Sequence, residues 1–424
     1  MPSRIVVIGA GFAGVWSALS AQRLINLKSK EQEIQVLVIA PEPSLTLRPR
    51  LYEPNPSMMK QPLGQLFTAA GIKFFQGTVE TIDTHKQTVH VTSPSGGESH
   101  ITYDRLVLAA GSAVARPKSV TGLEQYAFDI DSIAAATKLE SHIKNLEFLP
   151  VSKARNTVVV CGGGFTGIEI ATELPNMLHH IGNPRVVLVE SAPDVGPELG
   201  EGPRPTIMKA LNALGVELNL GASVNSVDSS GVNLSSGQRI ESTTVIWTAG
   251  VRATSLTQQI PGQRDMLSRL HVDQDLRVPG NPHVFATGDA AHAVTDTKGN
   301  ITMPSCQHAI VLGRFSGHNA AADLLGEPTL PYSQPGYGTC LDLGPWGAML
   351  ANGWDREVTV TGQIAKQVKR YVNQKVIRLP DTAKEALDAA DPASYESDSR
   401  LKHVIGVLGW TLRNSVCNNK TRVP

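Results

Sequence analysis

The chain has little cysteine and no CxxC pair. Its four cysteines, Cys161, Cys306, Cys340 and Cys417, stand far apart. That spacing argues against a disulfide framework and against a dithiol–disulfide oxidoreductase of the usual kind, and it fits a reducing compartment. Net charge is also absent. Lys plus Arg is 38 and Asp plus Glu is 38, so nothing in the balance argues for a nucleic-acid partner. No apolar stretch reaches the roughly 18 residues that a bilayer span needs, so any membrane contact is expected from the surface. No His/Cys cluster has metal-ligand spacing. Aromatics are 5% of residues. The first apolar run begins close to Met1, so no signal or transit peptide is expected. The expected location is cytoplasmic, extending to the inner face of a membrane.

What is abundant is glycine, 38 of 424 residues, in a chain long enough for two or three domains. The stretch RIVVIGAGFAG, Arg4 to Gly14, runs from an apolar strand into a glycine loop and then a helical pattern. Gly9 permits a sharp turn, Gly11 lets backbone approach a pyrophosphate, and Gly14 lets helix pack on strand. The helix start offers free N–H groups to phosphate. The theme returns at Val158 to Gly167, VVVCGGGFTG, with Gly162, Gly164 and Gly167 in register and Phe165 repeating Phe12. Two dinucleotide sites in one chain are expected. In the second copy the strand Val186–Val189 ends at Glu190, 23 residues after Gly167. A carboxylate there accepts from a ribose 2′-OH and repels a 2′-phosphate, favouring NADH over NADPH. In the first copy the strand Ile34–Ile39 is followed by Ala40, Pro41 and Glu42, so the ribose acid is missing. Either Glu42 reaches back or the ribose is held another way.

Other stretches suit a site. LTLRPRLYEP, Leu45 to Pro54, carries Arg48 and Arg50, either solvated loop charges or contacts to phosphate or flavin. Lys73–Val79 and Thr88–Thr92 read as short strands. YDRLVLAAGS, Tyr103 to Ser112, and TVIWTAGV, Thr244 to Val251, are apolar strands ending in small-residue turns. Pro205–Leu214 reads as a helix, Val216–Leu220 as a strand and Asn145–Asn156 as a connector. In NPHVFATGDAA, Asn281 to Ala291, a strand runs into Thr-Gly-Asp. Asp289 is placed to bond a polyol, with a following helix aimed at a pyrophosphate, or it caps that helix. Gln363–Tyr371, with Lys366, Lys369 and Arg370, reads as a basic helix. Asp381–Asp398 reads as an acidic helix and loop. Leu401–Val416 is apolar with Trp410, too short to span but suited to an interface or to packing on a second subunit.

Together GAGFAG, VLAAGS, CGGGFTG and ATGDAA resemble the two-dinucleotide-binding flavoprotein superfamily. Within it, GGGFTGIE (Gly162–Glu169), WTAGV (Trp247–Val251), MPSCQHAIVLG (Met303–Gly313) and the LYE at Leu51–Glu53 are most similar to the type II NADH:quinone oxidoreductases. The resemblance implies an α/β fold with two Rossmann-like domains, for FAD and NAD, and a smaller C-terminal α+β region. The expected division is residues 1–118 and 268–330 for FAD, 119–267 inserted for NADH, and 331–424 as a dimer or membrane-surface element. It implies FAD contacts from Gly9, Gly11, Phe12, Ala13, Gly14, Arg48, Val79, Ala110, Gly111, Asp289, Gln307 and His308. It implies NADH contacts from Gly162, Gly164, Phe165, Thr166, Gly167, Glu190, Ala249 and Gly250.

The implied activity is hydride transfer from NADH and delivery of two electrons to a quinone. Glu169 is expected near nicotinamide and quinone, or else as an acid complementing its helix dipole. Gln307 is expected beside the flavin ring, with His308 as a hydrogen-bonded neighbour. Three departures touch the electron acceptor: Ala40, the polar LRPR before Leu51, and Cys306 where the family usually has Ala. The alternatives are a soluble flavoprotein acting on a small biosynthetic substrate, a sulfide:quinone oxidoreductase using Cys306 and Cys340, and a redox-sensing module similar to apoptosis-inducing-factor relatives.

Overall fold

The computed structural model describes residues 2–394. Ser3–Ile8 is the middle of a five-stranded parallel sheet. Its order is Val284–Ala286, Arg105–Leu108, Ser3–Ile8, Ile34–Ala40, Lys73–Gln76. The four strands from Val284–Ala286 to Ile34–Ala40 are mainly apolar and largely buried, as a parallel sheet covered on both faces requires, while the edge strand Lys73–Gln76 is partly exposed. A second sheet repeats the plan: Ala127–Phe128, Thr244–Trp247, Thr157–Cys161, Arg185–Glu190, Glu217–Leu220, again all parallel. The repetition seen in the glycine loops therefore extends through whole sheets. Each unit also carries a three-stranded antiparallel sheet, Thr78–Asp83 with Thr88–Thr92 and Glu98–Thr102, and Val224–Asp228 with Gly231–Leu234 and Arg239–Glu241.

Register places the glycine loops. Ile8 pairs with Ile39 and Leu108, and Ala286 pairs with Leu108, so these strands end at one carboxyl edge. Cys161, Val189 and Trp247 likewise end together. That edge is where open α/β sheets bind ligands. The chain leaving AAGS and the chain leaving WTAG pair with each other: Ser112–Val114 lies antiparallel to Val251–Ala253. This ribbon ties the two edges together.

The helix Phe12–Leu27 packs against the long helix Cys306–Leu325 through small residues. A Cβ on Gly313 would stand 2.5 Å from Ala13 O, and one on Gly317 would stand 2.0 Å from Ser17 O. Ser17 and Ser316 hydroxyls meet at 3.0 Å in the same contact. A third, C-terminal layer has three antiparallel strands, Gly338–Asp342, Ala348–Asn352 and Glu357–Thr361, followed by the helix Gly362–Tyr371.

Several elements differ from expectation. The strand read as Lys73–Val79 breaks at Gly77, because a Cβ there would stand 2.6 Å from a Val91 methyl. Lys73–Gln76 stays in the parallel sheet while Val79 joins the antiparallel one, paired with Val91. No long helix follows Asp289. A single turn, Gly288–Ala290, is followed by extended chain, and the long helix starts at Cys306. The connector contains the end of the helix Ile133–Asn145 and the short helix Lys153–Asn156. Leu401–Val416 lies outside the described residues. Among those described, no helix is long and apolar enough to cross a membrane.

The helix contact gives a direct test. Gly317→Ala is expected to lower stability by about 1–3 kcal/mol through overpacking. Gly338→Ala, where a Cβ meets open space, is expected to stay within about 0.5 kcal/mol of wild type. Equal thermal midpoints for the two variants would contradict the close approach.

Candidate active site

The two glycine loops are built alike. Gly9 and Gly162 have φ of +108° and +112°, and a Cβ on either would strike the backbone of Ala109 or Ala249. Gly14 and Gly167 sit against the carbonyls of Gly9 and Gly162, where a Cβ would come to 2.0 and 1.8 Å. The following helices, Phe12–Leu27 and Phe165–Met177, start at Gly11 and Gly164 with no side-chain cap from the N-cap residue itself. Each loop is thus a backbone cradle at a helix N-terminus, suited to a diphosphate. Phe12, Ala13 and Gly14 form the first turn of one helix and Phe165, Thr166 and Gly167 that of the other. Ala110, Gly111, Ala249 and Gly250 lie on the adjacent turns leaving their strands.

Three separate motifs converge at the first cradle. The Arg48 guanidinium bonds Ser112 Oγ at 2.9 Å, reaches Asp289 Oδ2 at 3.5 Å, and pairs with Asp131. Ser112 Oγ donates to Asp289 Oδ2 at 2.7 Å. LRPR, AAGS and ATGD therefore meet at one point, with hydroxyl, carboxylate and guanidinium groups suited to a polyol phosphate. Arg50 turns the other way and forks onto Glu53. At the strand end of Ala40 there is no carboxylate; Glu42 is exposed two residues on. Val79, in the antiparallel sheet, is buried in one apolar cluster with Ile8 and Ile39.

At the second cradle Glu190 is buried. Its Oε2 accepts from Gly163 N at 2.6 Å, and its Oε1 from Ala192 N at 2.8 Å and Ser191 Oγ at 3.0 Å. Oε2 keeps a lone pair for a further donor.

Glu169, on the helix Phe165–Met177, is buried and accepts from Lys369 Nζ at 2.8 Å and from Asp342 N at 3.0 Å. Lys369 also donates to Cys340 O at 3.0 Å and lies 5.6 Å from the Phe165 ring and 5.7 Å from the Tyr52 ring. One turn on, Glu173 accepts from Lys366 Nζ at 3.0 Å, and Lys366 also pairs with Asp342. Tyr52 OH donates to Asp342 Oδ2 at 3.0 Å. Burial pushes the Glu169 carboxyl up to about 7, although Lys369 pulls it down. Burial also raises Glu173 and Tyr52. Three carboxylates with two ammonium groups are net negative when fully ionised, so the cluster gains by taking up one proton. The basic helix therefore turns its lysines inward. Lys366, Lys369, Asp342 and Tyr52 escaped the sequence reading as site residues. The LYE motif and the i, i+3 lysines were the available signal.

Gln307 sits in the first turn of the helix Cys306–Leu325, partly exposed. His308 points elsewhere. It is buried, stacks on Tyr337 at 5.0 Å with planes 6° apart, and has Nδ1 3.1 Å from Gln334 Oε1. Burial pulls it down to about 4, so it is neutral at pH 7. Burial pushes the Cys306 thiol up to about 11 and Cys340 to about 12. Both are thiols at neutral pH, poor nucleophiles for sulfide chemistry.

Residues 3–313 match the pyridine nucleotide-disulphide oxidoreductase family. An NADH dehydrogenase-like protein of Mycobacterium tuberculosis is 42% identical over 399 residues, 92% of this chain and 98% of its own. The type II NADH:quinone oxidoreductase Ndh of the same species is 28% identical, over 76% of this chain and 73% of its own. In fold, the chain is similar to NDH2 from Plasmodium falciparum, solved with NADH: TM-score 0.73, 15% identity, 92% of this chain and 97% of that one.

Removing Lys369 leaves Glu169 buried beside two other acids. Lys369→Met is expected to cost about 3–5 kcal/mol in stability, and Glu169→Gln in the same background is expected to recover most of it. The Glu169 carboxyl, followed by infrared titration, is expected to titrate near about 7 and to move higher in Lys369→Met. A folded value above the free one means that Glu169 favours folding in acid, and that this contribution is lost as pH rises through about 7. A Glu169 titration in the ordinary carboxylate range would contradict the burial argument.

Proposed function

This chain belongs to the pyridine nucleotide-disulphide oxidoreductase family, and from that premise we propose that it is an FAD-dependent enzyme taking hydride from NADH and passing two electrons to a quinone. The observation that carries the reading is the pair of glycine cradles at the carboxyl edges of two five-stranded parallel sheets, tied by the Ser112–Val114 and Val251–Ala253 ribbon. The 42% identical relative and the type II NADH:quinone oxidoreductase support the choice of reaction.

FAD fits the first cradle. Gly11 has open space where a side chain would otherwise stand, and Arg48, Ser112 and Asp289 present groups for phosphate and ribityl beside Ala110 and Gly111. Bound there, FAD supplies the two-electron chemistry between NADH and quinone. The protein's own residues bind, orient and hold protons. The second cradle takes the NADH diphosphate, and Glu190 Oε2 takes the ribose 2′-OH. Its charge repels a 2′-phosphate, so NADH is preferred over NADPH. Glu169 lies two turns or less from the cradle on the same helix. Titrating near neutrality against Lys369, it can hold a proton and release it. Reduction of a quinone to a quinol with NADH takes up one further proton, and Glu169 is the group poised to provide it. Gln307, in the first turn of the helix Cys306–Leu325, positions the acceptor. Val79 packs beneath the first cradle with Ile8 and Ile39, and His308 is a stacked, hydrogen-bonded neighbour of Tyr337 and Gln334. The division into residues 1–118 with 268–330, 119–267, and 331–424 follows from the same reading, and quinone delivery places the protein peripherally on a membrane surface.

Anaerobic mixing of the yellow, FAD-loaded protein with NADH is expected to bleach the flavin quickly, and a water-soluble quinone analogue is expected to restore it quickly. Glu169→Gln is expected to slow the quinone step by about 10²-fold with less effect on bleaching. Reoxidation no faster than with dioxygen would sink the quinone assignment and leave the NADH site standing.

A further inference from the structure

The two cradles differ in what stands over the middle glycine of each loop. A Cβ on Gly11 would meet nothing within 4 Å. A Cβ on the equivalent Gly164 would stand 2.8 Å from Glu198 Oε1 and 3.2 Å from Oε2. Glu198 Oε1 accepts from Phe165 N at 2.8 Å, the first N–H of the helix. This chain's own carboxylate therefore occupies the anion position of the second cradle. Glu198 comes from a short turn, Pro197–Leu199, between Gly196 at φ +63° and Gly200 at φ +77°. Leu199 is buried and anchors that turn, and Gly196 N bonds Gly163 O at 2.9 Å. Arg356, from the C-terminal sheet, donates to Glu198 O and places Nη2 3.0 Å from Met303 Sδ. The backbone is pinned on both sides, while Glu198 itself is exposed to solvent.

We propose that Glu198 is a displaceable carboxylate gate on the NADH diphosphate site. The inference rests on the NADH reading of the second cradle. A carboxylate and a diphosphate compete for the same helix N-terminus. An arriving dinucleotide must turn Glu198 out, and a departing NAD⁺ is replaced by it. The gate weakens dinucleotide binding in exchange for faster product release. It acts on the phosphate end, so it is separate from the preference that Glu190 sets at the ribose.

The test uses the full-length, FAD-loaded protein, wild type, Glu198→Gln and Glu198→Ala, with calorimetric binding of ADP-ribose, which carries the diphosphate without nicotinamide. Both variants are expected to bind ADP-ribose about three- to tenfold more tightly than wild type, the scale of a helix-terminal charge plus like-charge repulsion. The KM for NADH is expected to fall in the same sense. A merely structural cap predicts the opposite, since losing it would loosen the helix start and weaken binding. ADP-ribose affinity unchanged or weaker in both variants overturns the gate alone. Failure of all three proteins to bind ADP-ribose or NADH overturns the NADH reading and the gate with it.

Discussion

Three carboxylates and two ammonium groups share one desolvated volume, and their mutual neutralisation constrains everything packed around them. Glu169 and Glu173 come from the helix of the second glycine loop, Asp342 from the C-terminal sheet, Lys366 and Lys369 from the last long helix. No one of these elements can move away without stranding a charge in a medium that cannot solvate it. The network also reaches the first unit, because Tyr52 bonds Asp342 while Asn373 bonds Glu53, which Arg50 holds. A third layer of modest size is thereby fixed against both dinucleotide units. The same groups that fix it are one proton short of neutrality, so structural locking and proton storage come from a single arrangement.

The rest of the architecture is a consequence of doubling one plan. Parallel strands all end on one edge, so each glycine loop faces the same way as the small-residue turn beside it. Pairing those turns across units, Ser112 to Val114 with Val251 to Ala253, brings the edges together. The tight seam between the helices Phe12–Leu27 and Cys306–Leu325, with Gly313 and Gly317 against backbone carbonyls, holds the start of the second helix at that edge. Gln307 stands in the first turn of that helix.

Much of the fold was legible because backbone demands leave a spaced signature. Gly9, Gly11 and Gly14 have the spacing that a strand-to-helix phosphate loop calls for, and its recurrence at Gly162, Gly164 and Gly167 announces a repeat. Glu190 was legible because its place is a fixed step beyond a strand. Lys369 was not. Its partner is 200 residues away, and on its own helix a lysine three places from another reads as a solvated face. The same holds for Asp342, whose role depends on Tyr52 and Lys366. The break at Gly77 was hidden because the obstruction belongs to Val91, on a strand that local pattern cannot bring near. The helix expected after Asp289 failed for a related reason. The Thr-Gly-Asp turn satisfies its own backbone and returns to extended chain, and the helix that follows is capped by Ser305.

The two cradles share a backbone but not an electrostatic setting, and that difference matches what each is proposed to hold. The first is approached by Arg48, whose guanidinium is braced by Asp131 and Asp289 and can meet a phosphate. A guanidinium beside the cradle gives a resident phosphate a donor that can turn to it from its carboxylate partners. The second is lined by acids, Glu190 across Gly163 and Glu198 across Gly164. Neither favours a diphosphate, and one lies directly in its place. A substrate that must depart after every turnover is better served by such a surface, because tight binding of the product would limit the rate. One loop design thus suits a resident ligand or an exchangeable one, depending on which side chains are brought to the helix start from elsewhere in the chain.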